Sequence, residues 1–534
     1  MPKKILYIMC DQLRFDYLGC TGHPTIKTPN IDALAARGVR FDRTYVQSPI
    51  CGPSRMSSYT GRYVRSHGAT WNGTPLRVGE MTLGDHLRPL GVRTVLCGKT
   101  HMTADHDGMA RLGIDTQTSV GALLAEGGFE IWDRNDGVVP DGAKKQPSHY
   151  QDHLRELGYD GPNPWHHWAN SGEDEKGEIL SGWMLKHASQ PARVPEDKSE
   201  TPYTTTRAIE FMEQAKDDSW CLHLSYIKPH WPYIVPAPYH AMYTKDDVLP
   251  AVRSEAEREN PHPLIAGYYA HRYSKAFSKD SVRETVIPAY MGLITQIDDQ
   301  IGRIVEYLDD SGQAEDTLIV FTSDHGDYLG DHWLGEKEMF HDASVRVPLI
   351  VMDPSARANH TRGTVNGALT EAIDIVPTCV DFMGGEVADH ILEGRSLMPF
   401  VTGENAPKRD VVISEYDYSH RKHLRHLSPD VKSCLTTMVF DGRWKMVLVE
   451  GYRLMLYDQE TDPEEFHDLG DDPKYADEMT RLSMEIFKWS RRQHNRVTLS
   501  DAQVEADRLD EAEVGVLLGF WDEAELAEWQ ASMT

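Results

Sequence analysis

The chain has 534 residues, 40% of them hydrophobic, with 83 acidic against 55 basic side chains and a formal net charge of −28. That length supports one large core with a smaller companion, and that charge argues against a nucleic-acid backbone as the main partner. No apolar run reaches the about 18 residues of a membrane span, the start from Met1 to Met9 lacks a leader's core and cleavage site, and seven scattered cysteines (10, 20, 51, 97, 221, 379 and 434) form no CxxC pair or metal-finger spacing. The expectation is a cytoplasmic protein without a disulfide framework, partnered by neither nucleic acid nor membrane.

Ile5 to Cys10 is a short apolar run halted by Asp11-Gln12, the pattern of a buried strand carrying polar side chains at its C-terminal end. Open α/β sheets build their sites at such ends. Thr28-Pro29-Asn30 starts a helix (Ile31, Leu34, Ala35) that Gly38 closes, and Val39-Arg40-Phe41 resumes extended structure. The rhythm recurs as a helix over 82–90, a strand over 93–97, a helix over 204–215 and a strand over 220–226. Between 104 and 200 tryptophan, histidine, proline and charges crowd together, as in Pro162 to Trp168, with little periodicity. This stretch reads as an insertion over a site mouth, its histidines shaping a pocket rather than holding metal.

Met291, Ile294, Ile297, Ile301, Ile304 and Leu308 recur at three- and four-residue steps, predicting an amphipathic helix over 290–308. Thr317 to Thr322 is then a β-branched run ending on Ser323-Asp324-His325-Gly326. Beyond residue 405 come four short strand patterns, 411–414, 436–440, 444–448 and 454–457, with Asp441-Gly442 as a turn between two of them. Acidic residues and the apolar Val514, Leu517, Leu518 and Trp521 suggest a terminal helix or an arm for a neighbouring subunit. The expected division is 1–405, 406–499 and 500–534.

The most specific signal is Cys51-Gly52-Pro53-Ser54-Arg55, continued by Thr60-Gly61-Arg62. Taken alone, Cys51 could be an ordinary loop cysteine before a helix, with Pro53 in the first turn. The motif, however, resembles the sulfatase signature, in which the cysteine is oxidised to formylglycine (3-oxoalanine) by a separate formylglycine-generating enzyme. Asp11-Gln12, Gly98-Lys99-Thr100-His101, Lys228-Pro229-His230, Asp324-His325-Gly326 and Lys337 follow in that family's order, and Leu456-Tyr457-Asp458 with Asp462-Pro463-Glu464 resembles its small C-terminal sheet.

The resemblance implies an alkaline phosphatase-like α/β fold, a large mixed, mostly parallel sheet between helices with a smaller C-terminal antiparallel sheet. It implies one divalent ion, calcium or manganese foremost, on Asp11, Gln12, Cys51, Asp324 and His325. Gln12 and His325 stand where many sulfatases carry a second carboxylate and an asparagine. Cys51, Arg55, Lys99, His101, His230 and Lys337 are implied to be catalytic, with Asn72, Lys99, His230 and Lys337 on the substrate. His101 resembles the base that lets sulfate leave, His230 the group that protonates the alcohol, and Lys228 a further cation. His332 and His341 are read as structural.

A sulfate monoester needs its charge neutralised, a nucleophile supplied and its departing oxygen protonated. A hydrated aldehyde can re-form its carbonyl and expel sulfate, which a serine cannot. The implied activity is hydrolysis of a small anionic ester, arylsulfatase-like, with phosphonate monoesters and phosphodiesters as side or main substrates. Lys99-Thr100-His101 favours sulfate; the Asp-Gln start also resembles phosphonate monoester hydrolases. A homo-oligomer is expected. A silent binding protein on this scaffold is the reading of another class.

Overall fold

Ile5 to Cys10 point alternately to the two faces of strand β1 (Lys4–Asp11), and all six are buried. Such a strand belongs in the middle of a sheet covered on both sides. A computed structural model of the chain describes all residues except 1, 143–147, 407, 429, 493, 508–510 and 534. Along it follow β2 (Val39–Tyr45), β3 (Arg93–Gly98), β4 (Glu130–Arg134), a short hairpin of β5 (Ser171–Glu173) and β6 (Ile179–Ser181), β7 (Trp220–Pro229), β8 (Thr317–Ser323), β9 (Arg346–Met352) and β10 (Thr364–Glu371). The last four strands are β11 (Val412–Asp417), β12 (Leu435–Phe440), β13 (Trp444–Val449) and β14 (Met455–Asp458).

Eight strands form one sheet in the order β10-β2-β9-β8-β1-β7-β3-β4. Only β9 runs against the rest. One face, with Leu6, Ile8 and Cys10, packs against Ile294, Ile297 and Ile301 of the long helix. The other, with Ile5, Tyr7 and Met9, packs against Met56, Tyr59, Ile375 and Val376. This mixed, mostly parallel sheet between helices is the expected fold class, and β11 to β14 make the separate antiparallel sheet in sequential order. Between β12 and β13, Asp441 Oδ1 accepts the amides of Arg443 and Trp444, and Gly442 takes a φ of 96°.

Several boundaries differ from the sequence reading. The long helix spans Asp280–Asp310 and starts before the predicted 290, because it carries Pro288 inside, a residue that normally ends a helical pattern. Segment 104–200 contains the helices His106–Arg111, Ser119–Ala125 and His149–Glu156, and its β4 pairs in parallel with β3. As an edge strand β4 has exposed Glu130 and Ile131 and lacks the continuous apolar run of the centre. Near the C-terminus, helices cover Asp501–Ala506 and Glu523–Ser532, whereas the apolar residues from Val514 to Trp521 lie in a short 3-10 turn and the loop after it.

The chain divides into two compact units, Met1–Val387 with Leu392–Arg492, and Ala388–Ile391 with Gln493–Thr534. Both sheets belong to the first. No helix among the described residues is long and apolar enough to cross a membrane.

Four neighbouring strands, β8, β1, β7 and β3, end on the same edge, delivering Asp324, Asp11, His230 and Lys99 side by side. Gly98 makes the last of these possible. Its φ is 111°, and a Cβ there would sit 2.0 Å from the Ser225 carbonyl oxygen of β7. Gly98→Ala should therefore lower unfolding free energy by at least about 2 kcal/mol through strain and overpacking. Urea denaturation checks this, and an unchanged midpoint would contradict the packing described.

Candidate active site

Cys51 opens the helix Cys51–Thr60, whose ten residues are all buried. Asn72 Oδ1 accepts the Gly52 amide at 2.7 Å, satisfying one of the free N–H groups at the helix start. The Cys51 sulfur lies 3.1 Å from His325 Nε2, 3.2 Å from Lys337 Nζ and 3.8 Å from Asp11 Oδ1. One turn on, Arg55 joins this helix to the sheet. Its Nε donates to Asp324 Oδ2 at 2.8 Å, Nη2 to Asp11 Oδ2 at 3.2 Å, and Nη1 to Ser225 Oγ and the Lys99 carbonyl.

Lys99 Nζ donates to the same Asp11 Oδ2 at 2.5 Å. Burial works to raise the Asp11 pKa, but Lys99, His230, Arg55 and Lys337 outweigh it and hold the carboxyl well below its usual range. Burial pulls the Lys337 ammonium down, and the sulfur of Cys51 with Glu336, Asp11 and Asp324 more than reverses this. Lys337 Nζ also donates to Gln12 Oε1 at 3.0 Å. The Gln12 amide group donates in turn to Asp327 and to Tyr233.

The remaining carboxylate oxygens converge. Asp11 Oδ1 is 3.8 Å and Asp324 Oδ1 3.6 Å from His325 Nε2. His325 Nδ1 lies 2.9 Å from the Gly326 carbonyl, so it carries the proton and leaves the Nε2 lone pair facing these oxygens. Burial lowers the His325 pKa and favours this neutral form. Asp11, Cys51, Asp324 and His325 thus offer ligand atoms all within 4.8 Å of one another. Two carboxylate oxygens, an imidazole and a position-51 side chain fit a divalent ion of the calcium, manganese or magnesium type. The Gln12 carbonyl keeps a second lone pair beyond its bond from Lys337.

His230 and His101 flank the thiol's cavity. His230 Nδ1 is 2.8 Å from the Trp231 carbonyl, and its Nε2 is 4.0 Å from Asp11 Oδ1. Burial first, then Lys337 and Lys99, push the His230 pKa well down despite Asp11. Burial and Lys99 likewise lower His101, against the pull of Cys51 and Asp136, and its Nδ1 is buried without a partner. Lys228 lies apart from the cavity lining: its ammonium donates to Asn170 Oδ1 at 2.7 Å and the Pro232 carbonyl at 2.9 Å, and burial brings its pKa down to about 8. His332 and His341 stack on one another 4.0 Å apart and bond to Glu257 and Tyr328.

Sequence reasoning missed Asp136, Asp327, Tyr233 and Ser225, which hold the site residues from behind. Asp136 Oδ1 accepts the amides of both Thr100 and His101 at 2.9 Å, fixing His101 at a φ of 55°. It lies within 104–200, where no motif marks it. The cavity over Cys51 measures 620 Å³ and is lined also by Trp71, Asn72, Arg134, Glu338 and Arg421.

Comparison with known proteins agrees with this geometry. The family described as Sulfatase matches residues 3–385, and the N-sulphoglucosamine sulphohydrolase C-terminal family matches 330–492. The chain belongs to the sulfatase family, within the alkaline phosphatase superfamily. It is 32% identical to the multifunctional alkaline phosphatase superfamily protein PehA of Trinickia caryophylli, over 91% of this chain and 95% of that protein. It is 27% identical to an arylsulfatase of Clostridium perfringens, over 78% and 82%. Among solved structures, phosphonate monoester hydrolases from Silicibacter pomeroyi and Agrobacterium radiobacter superpose with TM-scores of 0.81 and 0.78 at 28% and 29% identity, covering 93% and 92% of this chain and 97% and 96% of theirs. Family membership supports a hydrolase acting on sulfate esters.

Burial opposes ionisation of Asp136, but Arg134 and the amide and imidazole of His101 bring its pKa down to about 2 from an ordinary 3.8. A depressed carboxyl adds stability above its ordinary pKa, and that contribution is lost as pH falls toward the folded value. Asp136→Ala should cut turnover at least about tenfold by releasing His101. Its deficit in unfolding free energy should shrink between pH about 4 and about 2. Kinetics and urea titrations check both, and a deficit constant across that window would contradict the assignment.

Proposed function

We propose that the protein hydrolyses sulfate monoesters of the aryl type, using Cys51 after its oxidation to formylglycine by a separate maturation enzyme. The observation that carries this is the position of Cys51, first in its helix and within about 4 Å of Asp11, His325 and Lys337. In the hydrated aldehyde one hydroxyl attacks sulfur and gives its proton to the neutral His230, the bond from sulfur to the ester oxygen breaks, and His230 passes that proton to the departing alcohol. His101 then takes the proton of the other hydroxyl, the carbonyl re-forms, and the carbon–oxygen bond to sulfate breaks. Lys99 and Lys337 face the sulfate oxygens, and Arg55 keeps Asp11 and Asp324 in place. Asp11, Asp324, His325, the modified residue 51 and Gln12 would hold a divalent ion, calcium or manganese, which supplies Lewis-acid charge and favours ionisation of the attacking hydroxyl.

A second reading makes phosphonate monoesters and phosphodiesters the main substrates. It draws support from the two phosphonate monoester hydrolase structures and from PehA, while Lys99 and His101 on the cavity wall favour sulfate. All these substrates carry one negative charge on a tetrahedral centre, so one cationic site accepts them. Side-by-side kcat/KM for phenyl sulfate and a phenyl phosphonate monoester separates the readings: sulfate should lead by at least about tenfold. A phosphonate lead of that size makes the second reading correct. Chelation should remove turnover at least about 100-fold, with return on adding calcium or manganese. Full turnover in chelator would overturn the metal assignment.

A further inference from the structure

A second cavity, of 350 Å³, adjoins the one over Cys51 and shares Trp231, Tyr273 and Glu336 with it. Its remaining wall is mostly apolar, with Trp183, Leu185, Pro232, Ala276 and Phe277. That volume lies in the range, about 300–1,000 Å³, of pockets that enclose small molecules. We propose that this annex binds an extended apolar arm of the substrate's alcohol, so that the enzyme selects esters of hydrophobic, multi-ring or long-chain alcohols. The inference rests on the hydrolase reading above and adds the direction in which the leaving group lies.

The direction follows from His230. To be protonated, the ester oxygen must come within hydrogen-bond reach of this imidazole. The Trp231 ring packs beside it at a tilt of 42°, with ring centroids 4.2 Å apart, and forms part of the wall between the two cavities. A substituent on that oxygen therefore runs along Trp231 into the annex, away from Lys99 and Lys337. The indole cannot swing aside freely, because its Nε1 donates to Glu336 Oε1 at 2.5 Å and its ring meets Trp183 edge-on at 5.8 Å.

Charge selects against a cationic arm. Among the described residues, Glu336 is the one acidic residue lining the annex. It already accepts from Trp231 and lies 3.9 Å from Lys337 Nζ, while Arg272 also lines the annex. Aromatic walls without a free carboxylate favour a neutral apolar group, whose burial is the main favourable term.

The test compares kcat/KM for 4-phenylphenyl sulfate and phenyl sulfate in the full-length protein, with the corresponding phosphonate monoesters in parallel. The inference expects the two-ring ester to lead by at least about tenfold. In Ala276→Trp, which fills the annex, and in Trp183→Ala, which opens its wall, that ratio should fall at least about fivefold. Calorimetry with 4-phenylphenol reads the annex without chemistry: it should bind the wild type and Cys51→Ala alike, and Ala276→Trp at least about tenfold more weakly. A ratio near one in the wild type, or an equal fall of both esters in the two variants, overturns the annex. Turnover of neither ester alongside annex-dependent binding of 4-phenylphenol overturns the hydrolase reading while sustaining the apolar site.

Discussion

The Arg55 guanidinium, fully buried between Asp11 and Asp324, is the contact on which the site depends. Two carboxylates without solvent, carried by adjacent strands, repel each other and lose their hydration, at an effective cost of several kcal/mol each. Arg55 offsets this from one side by bonding to both Oδ2 atoms, and Lys99 from another by bonding to that of Asp11. The Oδ1 atoms are thereby turned toward His325. Because Arg55 lies one turn after Cys51, the same ion pairs fix the nucleophile's helix against the sheet. Charge compensation and catalytic geometry are one arrangement here.

The outer positions serve that arrangement. Asn72 holds the helix start, Asp136 holds the loop of His101, and Asp327 with Tyr233 holds the Gln12 amide. Glu336 and Glu338, on either side of Lys337, both adopt positive φ, 68° and 96°. Non-glycine residues rarely take this conformation unless their surroundings demand it. Here it places Lys337 over the sulfur while Glu336 pairs with Trp231.

Much of this was legible in the sequence because it rests on local signals. Apolar runs ending in Asp11-Gln12 and Ser323-Asp324-His325 marked β1 and β8 and the edge they share. The hairpin at Asp441-Gly442 was marked by its turn residues. The edge strand β4 was not, since one exposed face leaves no continuous apolar run, and the start of the long helix was hidden by Pro288. Asn72 carried a site assignment on the substrate, yet its bond to Gly52 could not be read, because it joins residues 20 positions apart through a turn with no repeat. Asp136 and Tyr233 act through tertiary contacts alone, and no spacing rule announces them.

The central claim is that residue 51 reacts as a hydrated aldehyde and not as a thiol. Mass measurement of the peptide containing Cys51, taken from preparations of graded activity, addresses it most directly. The account predicts a species lighter by about 18 Da than the thiol form, in a proportion that tracks kcat. Fully active protein carrying only the unmodified cysteine would contradict it.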